Sequence, residues 1–145
     1  MDADKLAQFR EMALLELKRA ERYRNFLSLL VLNLSEFLST AGRRKISSQE
    51  DADEFMRAVI NRIKHVARET DMISGMNNRN LVMLLPETDR TGARVAGRRF
   101  QQLVTEFLSD FLDSDFPFEI PVEITSFPDQ ASRKGFRSRL RRLFD

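Results

Sequence analysis

RETDMISGMNNRNLVMLL, residues 68–85, decides how the chain is read. Residues 72–75 and the more apolar 81–85 are short enough to be strands. The polar run Met76-Asn77-Asn78-Arg79-Asn80 between them suits a turn, because asparagine tolerates left-handed backbone geometry better than most residues. The stretch therefore predicts a β-hairpin, entered from a helix that ends near Arg68 and closed by Pro86. Its turn, and the Arg68/Asp71 pair beside it, are where chemistry would be presented.

The flanking sequence supplies the support. Over residues 4–24 the apolar Leu6, Phe9, Ala13, Leu17 and Ala20 recur at helical spacing, which predicts an amphipathic first helix. FLSLLVLNL, residues 26–34, is a nearly continuous apolar run, as expected of a strand buried on both faces, with Asn33 at its exit. Gly42 and the basic Arg43-Arg44-Lys45 put residues 39–48 in an exposed loop, and Ser47 with Glu50 predicts a capping box for a second helix. That helix would bury Phe55, Val59, Ile63 and Val66. Thr88 or Asp89 would cap a third, whose apolar face includes Val95, Phe100, Leu103, Val104 and Phe107. Phe118, Ile120, Val122 and Ile124 alternate with polar residues or proline, as in a strand near a sheet edge, since Pro121 has no N–H to give a ladder. Residues 132–144 read as a last, strongly basic helix. The order α-β-α-β-β-α-β-α predicts one domain over residues 1–145, a mixed sheet covered by helices.

Composition narrows the function classes. At 145 residues, 42% hydrophobic and 32% charged, the chain suits one globular domain. No apolar run approaches the roughly 20 residues of a spanning helix, and MDADKLAQFR lacks a signal-peptide pattern, so a cytoplasmic protein with no transmembrane segment is expected. Without cysteine, and with His65 alone, thiolate and multi-histidine metal sites are excluded. His65 lies within a helix pattern and reads as a surface or packing residue, and no glycine spacing forms a phosphate-binding fingerprint. A net charge of +2 is too small for its total to argue nucleic-acid binding.

Taken together, these segments resemble the GGDEF family of diguanylate cyclases. REMALLELKRAERYRNFLSLLVLNLSEF is similar to the family's first helix and first strand; RETDMIS followed by LVMLLPETDRTGA is similar to its Arg-x-x-Asp, hairpin and next helix start; ITSFPDQ is similar to its late strand. The likeness covers about residues 9–130 in consistent order. It implies an α/β fold of the α+β sandwich kind, related to nucleotidyl cyclases and the polymerase palm, with a mixed, mainly antiparallel sheet flanked by helices.

The same resemblance implies that catalysis is lost. In the family the turn reads Gly-Gly-Asp/Glu-Glu-Phe; the matching residues here are Asn77, Asn78, Arg79, Asn80 and Leu81, and the metal aspartate at the end of strand one matches Asn33. A neutral amide and a guanidinium do not offset the charge of two divalent ions on a triphosphate. Metal-dependent condensation of GTP is therefore expected to be absent, with no catalytic residue, metal or cofactor. Asp53 keeps the position of a guanine-contacting aspartate, although an acidic group in a first helical turn is equally favoured by the helix dipole.

What the resemblance leaves is a ligand site. Arg68-Glu69-Thr70-Asp71 matches the family's inhibitory Arg-x-x-Asp, which implies a cyclic di-GMP receptor: the guanidinium donates to guanine O6 and N7, the carboxylate accepts from N1 and N2, and Arg79 or another nearby arginine helps neutralise phosphates. Beside this stands a plainer possibility, an arginine in a last helical turn paired with a capping aspartate. The expected function is a catalytically inactive signalling module. A ligand-free interaction scaffold with a protein partner or a homodimer is the alternative, and a nucleotide-processing enzyme a distant third. The basic C-terminal helix could in addition meet an anionic surface, or simply pack its apolar side with its arginines solvated.

Overall fold

A computed structural model describes residues 3–77 and 79–144. The elements in chain order are α1 (Ala3–Tyr23), β1 (Leu27–Asn33), α2 (Ser35–Ser39), α3 (Gln49–Lys64), β2 (Met72–Asn77), β3 (Asn80–Pro86), α4 (Arg90–Leu112), β4 (Val122–Phe127) and α5 (Arg133–Phe144). The strands form one four-stranded sheet in the order β2-β3-β1-β4. The antiparallel character expected of it extends to every pairing among the described residues.

The two central strands explain the Leu-rich runs. Leu30 and Leu32 of β1, with Leu81, Met83 and Leu85 of β3, face α3 and α4; Leu27, Leu29 and Val31, with Val82 and Leu84, face α1 and α5. Each buried aliphatic side chain contributes about 1.5–3 kcal/mol, and alternation alone sends successive ones to opposite layers. α1 buries Phe9, Ala13, Leu17 and Ala20, as its spacing predicts, and α3 buries Phe55, Val59 and Ile63. Phe37 fills the other layer's end, against Phe55, Phe111 and Phe116.

Four details differ from the sequence expectation. Residues 35–39 form α2, started where the Asn33 side-chain oxygen accepts from the Ser35 N–H at 2.8 Å, a helix too short to show periodicity. The cap of α3 is Ser48, whose hydroxyl accepts from Asp51 N at 3.1 Å, while the Asp51 carboxylate reaches back to Ser47; the box sits one residue later than Ser47/Glu50 suggests. Val95 is 61% exposed, because α4 turns Ala93, Gly97, Phe100 and Val104 inward and Val95 falls outside that arc. β4 starts at Val122, leaving Phe118 outside the sheet and 45% exposed. Pro117 and Pro121 bracket that segment and have no N–H for a ladder. β4 does lie at a sheet edge, and Asp89 is the cap of α4, accepting from Gly92 N at 2.8 Å.

Candidate functional site

The hairpin brings two groups of candidate residues to its opposite ends. At the turn, Asn77 pairs with Asn80 and Asn33 of β1 stands opposite Asn80. Asn78 lies outside the described residues. Arg79 adopts left-handed geometry, φ 64°, and its carbonyl accepts from Leu34 N at 2.9 Å, joining the turn to the exit of β1. Its guanidinium donates to Ser39 Oγ at 2.6 Å, at the end of α2. Leu81 is 1% exposed and belongs to the core.

This end offers neutral and cationic groups where a divalent ion needs anionic oxygens. The Asn33 carboxamide oxygen is already engaged on Ser35 N, and the Arg79 guanidinium beside it repels cations. Among the described residues no group of three acidic or histidine side chains is placed to hold a metal ion. The donor set does not fit the family's metal pair. Asp53 lies elsewhere, on the exposed side of α3. Its carboxylate accepts from Gln49 Nε2 at 3.0 Å, and it lines a cleft with Lys5, Arg57, Lys64 and residues 73–75 of β2.

At the other end, Arg68 and Asp71 close the connection between α3 and β2. Asp71 Oδ2 accepts from the Arg68 backbone N–H at 3.0 Å, and Oδ1 accepts from Arg68 Nε at 3.2 Å and Nη2 at 2.9 Å. Arg68 Nη2 also donates to the Pro86 carbonyl at 2.9 Å and to Thr88 Oγ1 at 2.6 Å. The Thr88 hydroxyl itself donates to Pro86 O at 2.9 Å. Glu87, with φ 52°, turns the chain between them so that the end of β3 runs into the Asp89 cap. The Asp71 side chain is only 5% exposed and both its oxygens are in use, whereas the Arg68 side chain is 53% exposed. The expected pairing of guanine N1 and N2 with Asp71 would have to compete with these bonds for a carboxylate that is already covered.

Arg68 and Asp71 line a cavity of about 400 Å³ whose other walls include Phe26, Val66, Val95, Phe100 and Arg99. Arg99 is the functional candidate that sequence reasoning missed. Its signal was the first half of α4, where Arg90, Arg94, Arg98 and Arg99 occur with no acidic residue before Glu106. A helix N-terminus disfavours such a run of cations, so a reason for it is to be sought nearby. Arg79, by contrast, does not join this cavity. Asn80 and Pro86 are the two ends of β3, roughly 20 Å apart at about 3.3 Å per residue, and Arg79 adjoins the first while Arg68 bonds the second.

The chain's likeness to known proteins agrees with this architecture. It superposes on the diguanylate cyclase SiaD of Pseudomonas aeruginosa, crystallised in complex with its activator SiaC, with a TM-score of 0.71 at 16% identity, covering 95% of this chain and 52% of that one. It thus spans about half the length of SiaD. The GGDEF domain of YfiN (TpbB) from Pseudomonas aeruginosa gives a TM-score of 0.64 at 15% identity, covering 95% of this chain and 85% of that one. At these identities the likeness is one of fold. No curated protein sequence matches. The model of the GGDEF domain of diguanylate cyclases, however, matches residues 6–134, from α1 into α5, and the chain belongs to the GGDEF domain family.

Proposed function

We propose that this GGDEF domain is a non-catalytic signalling module whose cavity beside Arg68 receives cyclic di-GMP. The loss of catalysis is supported by one observation above the others. Where the family needs anionic metal ligands, the Asn33 carboxamide accepts from the Ser35 N–H and Arg79 carries a positive charge bound to Ser39. Among the described residues no acidic cluster stands there to offset the charge of two divalent ions. Incubation with GTP and magnesium or manganese is expected to give no pyrophosphate and no cyclic dinucleotide; turnover with either metal would overturn the reading.

Reception is supported by the pairing of Arg68 with Arg99 around one cavity. With Arg68 Nε and Nη2 committed to Asp71, Pro86 and Thr88, Nη1 still has both hydrogens for the O6/N7 edge of guanine. Arg99 would neutralise a phosphodiester, and the half-exposed Phe26 gives a base an apolar wall. Calorimetric titration with cyclic di-GMP is expected to give saturable heat that Arg68→Ala and Arg99→Ala each abolish. No heat at high micromolar ligand, or unchanged binding by both variants, would sink it.

The closed Asp71 carboxylate favours a second reading, a ligand-free interaction module in which Arg68 and Asp71 only fasten the hairpin. SiaD, which shares the fold, was crystallised with a protein activator, and a protein partner or a second copy is the corresponding proposal for this chain. Size-exclusion chromatography with and without cyclic di-GMP separates the two: association indifferent to the nucleotide supports the scaffold.

A further inference from the structure

The charge of +2 conceals a strong asymmetry in the layer made by α1 and α5. Two contacts fix the geometry of that layer. The Phe9 and Phe144 rings meet with centroids 5.4 Å apart, and Arg133 donates to Glu21 at 3.1 Å. The start of α1 thus lies against the end of α5, and the end of α1 against its start. The intervals 9–21 and 133–144 each span roughly 17 Å at about 1.5 Å per residue. The helices run antiparallel, side by side, for the whole length of α5.

Their outward faces follow from what they bury. α5 buries Phe136, Leu140 and Leu143, which turns Lys134, Ser138 and Arg141 outward and sets Arg137 on the flank toward α1. α1 buries Phe9, Ala13, Leu17 and Ala20, which turns Glu11, Leu15, Lys18 and Arg22 outward. Arg133 and Arg139 are neutralised, by Glu21 and Glu123. Lys18, Arg22, Lys134, Arg137 and Arg141 have no carboxylate partner among the described residues. Asp4 and Glu11 are the acidic residues within these outward stripes among the described residues. Leu15, 58% exposed, stands among the cations.

We propose that this two-helix face docks on an anionic lipid bilayer. A flat pair of helices lying in one plane presents its cations to a planar array of headgroups, and Leu15 suits the interface beneath them. Nucleic acid is the poorer fit. A major groove admits a single helix, whereas α5 has α1 along its side. Because the apolar side of α5 is spent on the core, attachment is electrostatic and reversible, and salt weakens it.

Co-flotation of the full chain with phosphatidylserine-containing and pure phosphatidylcholine vesicles tests this. Binding is expected only to the anionic vesicles at about 0.1 M salt, and should be released as salt is raised several-fold. Each cation removed is expected to weaken partitioning about fivefold, so Lys134→Gln/Arg137→Gln/Arg141→Gln should lose about a hundredfold. The three sites are exposed, and circular dichroism checks that the variant is folded. Arg94→Gln/Arg98→Gln on α4, across the sheet, should bind as the wild type does. Equal binding to both vesicle types, wild-type binding by the folded triple variant, or displacement from vesicles by duplex DNA at equal phosphate would overturn the proposal. Neither result depends on cyclic di-GMP.

Discussion

Arg68 and Asp71 hold each other through both backbone and side chain: one carboxylate oxygen takes the Arg68 backbone N–H at 3.0 Å, the other its guanidinium at 2.9 Å. The two residues contribute unequally. Asp71 is almost fully covered and satisfies a backbone donor, so Asp71→Ala leaves that N–H short of its partner. It is expected to cost about 1–3 kcal/mol. Arg68 is half exposed, and its removal should cost less, since water can replace it at Pro86 and Thr88. Urea denaturation of the two variants checks the order. If Arg68→Ala is the more destabilising, the pair is not the fastener described here.

That asymmetry is a property of tertiary structure, and it marks where sequence reading stopped. The Arg-x-x-Asp spacing identified both residues but could not say that Asp71 would be covered, because Pro86 and Thr88, which complete the site, arrive from the far side of the hairpin. The Leu-rich β1, the periodic stripes of α1 and α3 and the hairpin were legible because burial on one or both faces imposes a period. α2 was not, because five residues carry no period and its start depends on an asparagine side chain two residues before it. Arg79 and Arg99 fail in opposite ways. Proximity in sequence grouped Arg79 with Arg68 although a whole strand separates them, while Arg99 shares the cavity from another helix.

Gly42 is where α2's loop closes on the core. A Cβ built there would stand 2.6 Å from Phe37 Cε1 and 2.8 Å from Cζ. Phe37 is fully buried and held by Phe55, Phe111 and Phe116, so its ring has nowhere to move. Gly42→Ala is therefore expected to destabilise by about 1–3 kcal/mol, as overpacking does. A chemical-denaturation midpoint equal to that of the wild type would mean that the loop simply lifts away.

Asp51 gives the fold a pH-sensitive cap. The Ser47 backbone N–H, then the Ser47 hydroxyl, bond its carboxylate and hold its pKa below the usual carboxylate value. A depressed folded pKa means that the ionised form is the one the fold favours. The stability it contributes is complete above the ordinary carboxylate range and is lost as pH falls through the lowered value. Asp51→Asn should thus melt below the wild type at neutral pH, with the gap closing on acidification. Thermal melts across that range check the sign, and a gap that widens at low pH would contradict it.

Ser28 connects the middle of the sheet to the same site. Its hydroxyl lies 2.7 Å from the Thr88 carbonyl and 2.8 Å from Ser126 Oγ, all three residues being buried. A carbonyl can only accept, so the single Ser28 proton goes to Thr88, and Ser126 must donate to Ser28. The chain of bonds thereby runs from β4 through β1 to the residue whose side chain receives Arg68. Ser28→Ala strips a partner from both a buried carbonyl and a buried hydroxyl, and is expected to cost about 2 kcal/mol or more. It should also loosen Thr88 and so weaken any ligand held by Arg68, although Ser28 lines no part of that cavity. Ser28→Cys is the control: it keeps a weak donor at nearly the same volume, and should fall between alanine and the wild type in both stability and cyclic di-GMP titration. If alanine and cysteine behave alike, the effect is one of packing rather than of the hydrogen-bond chain.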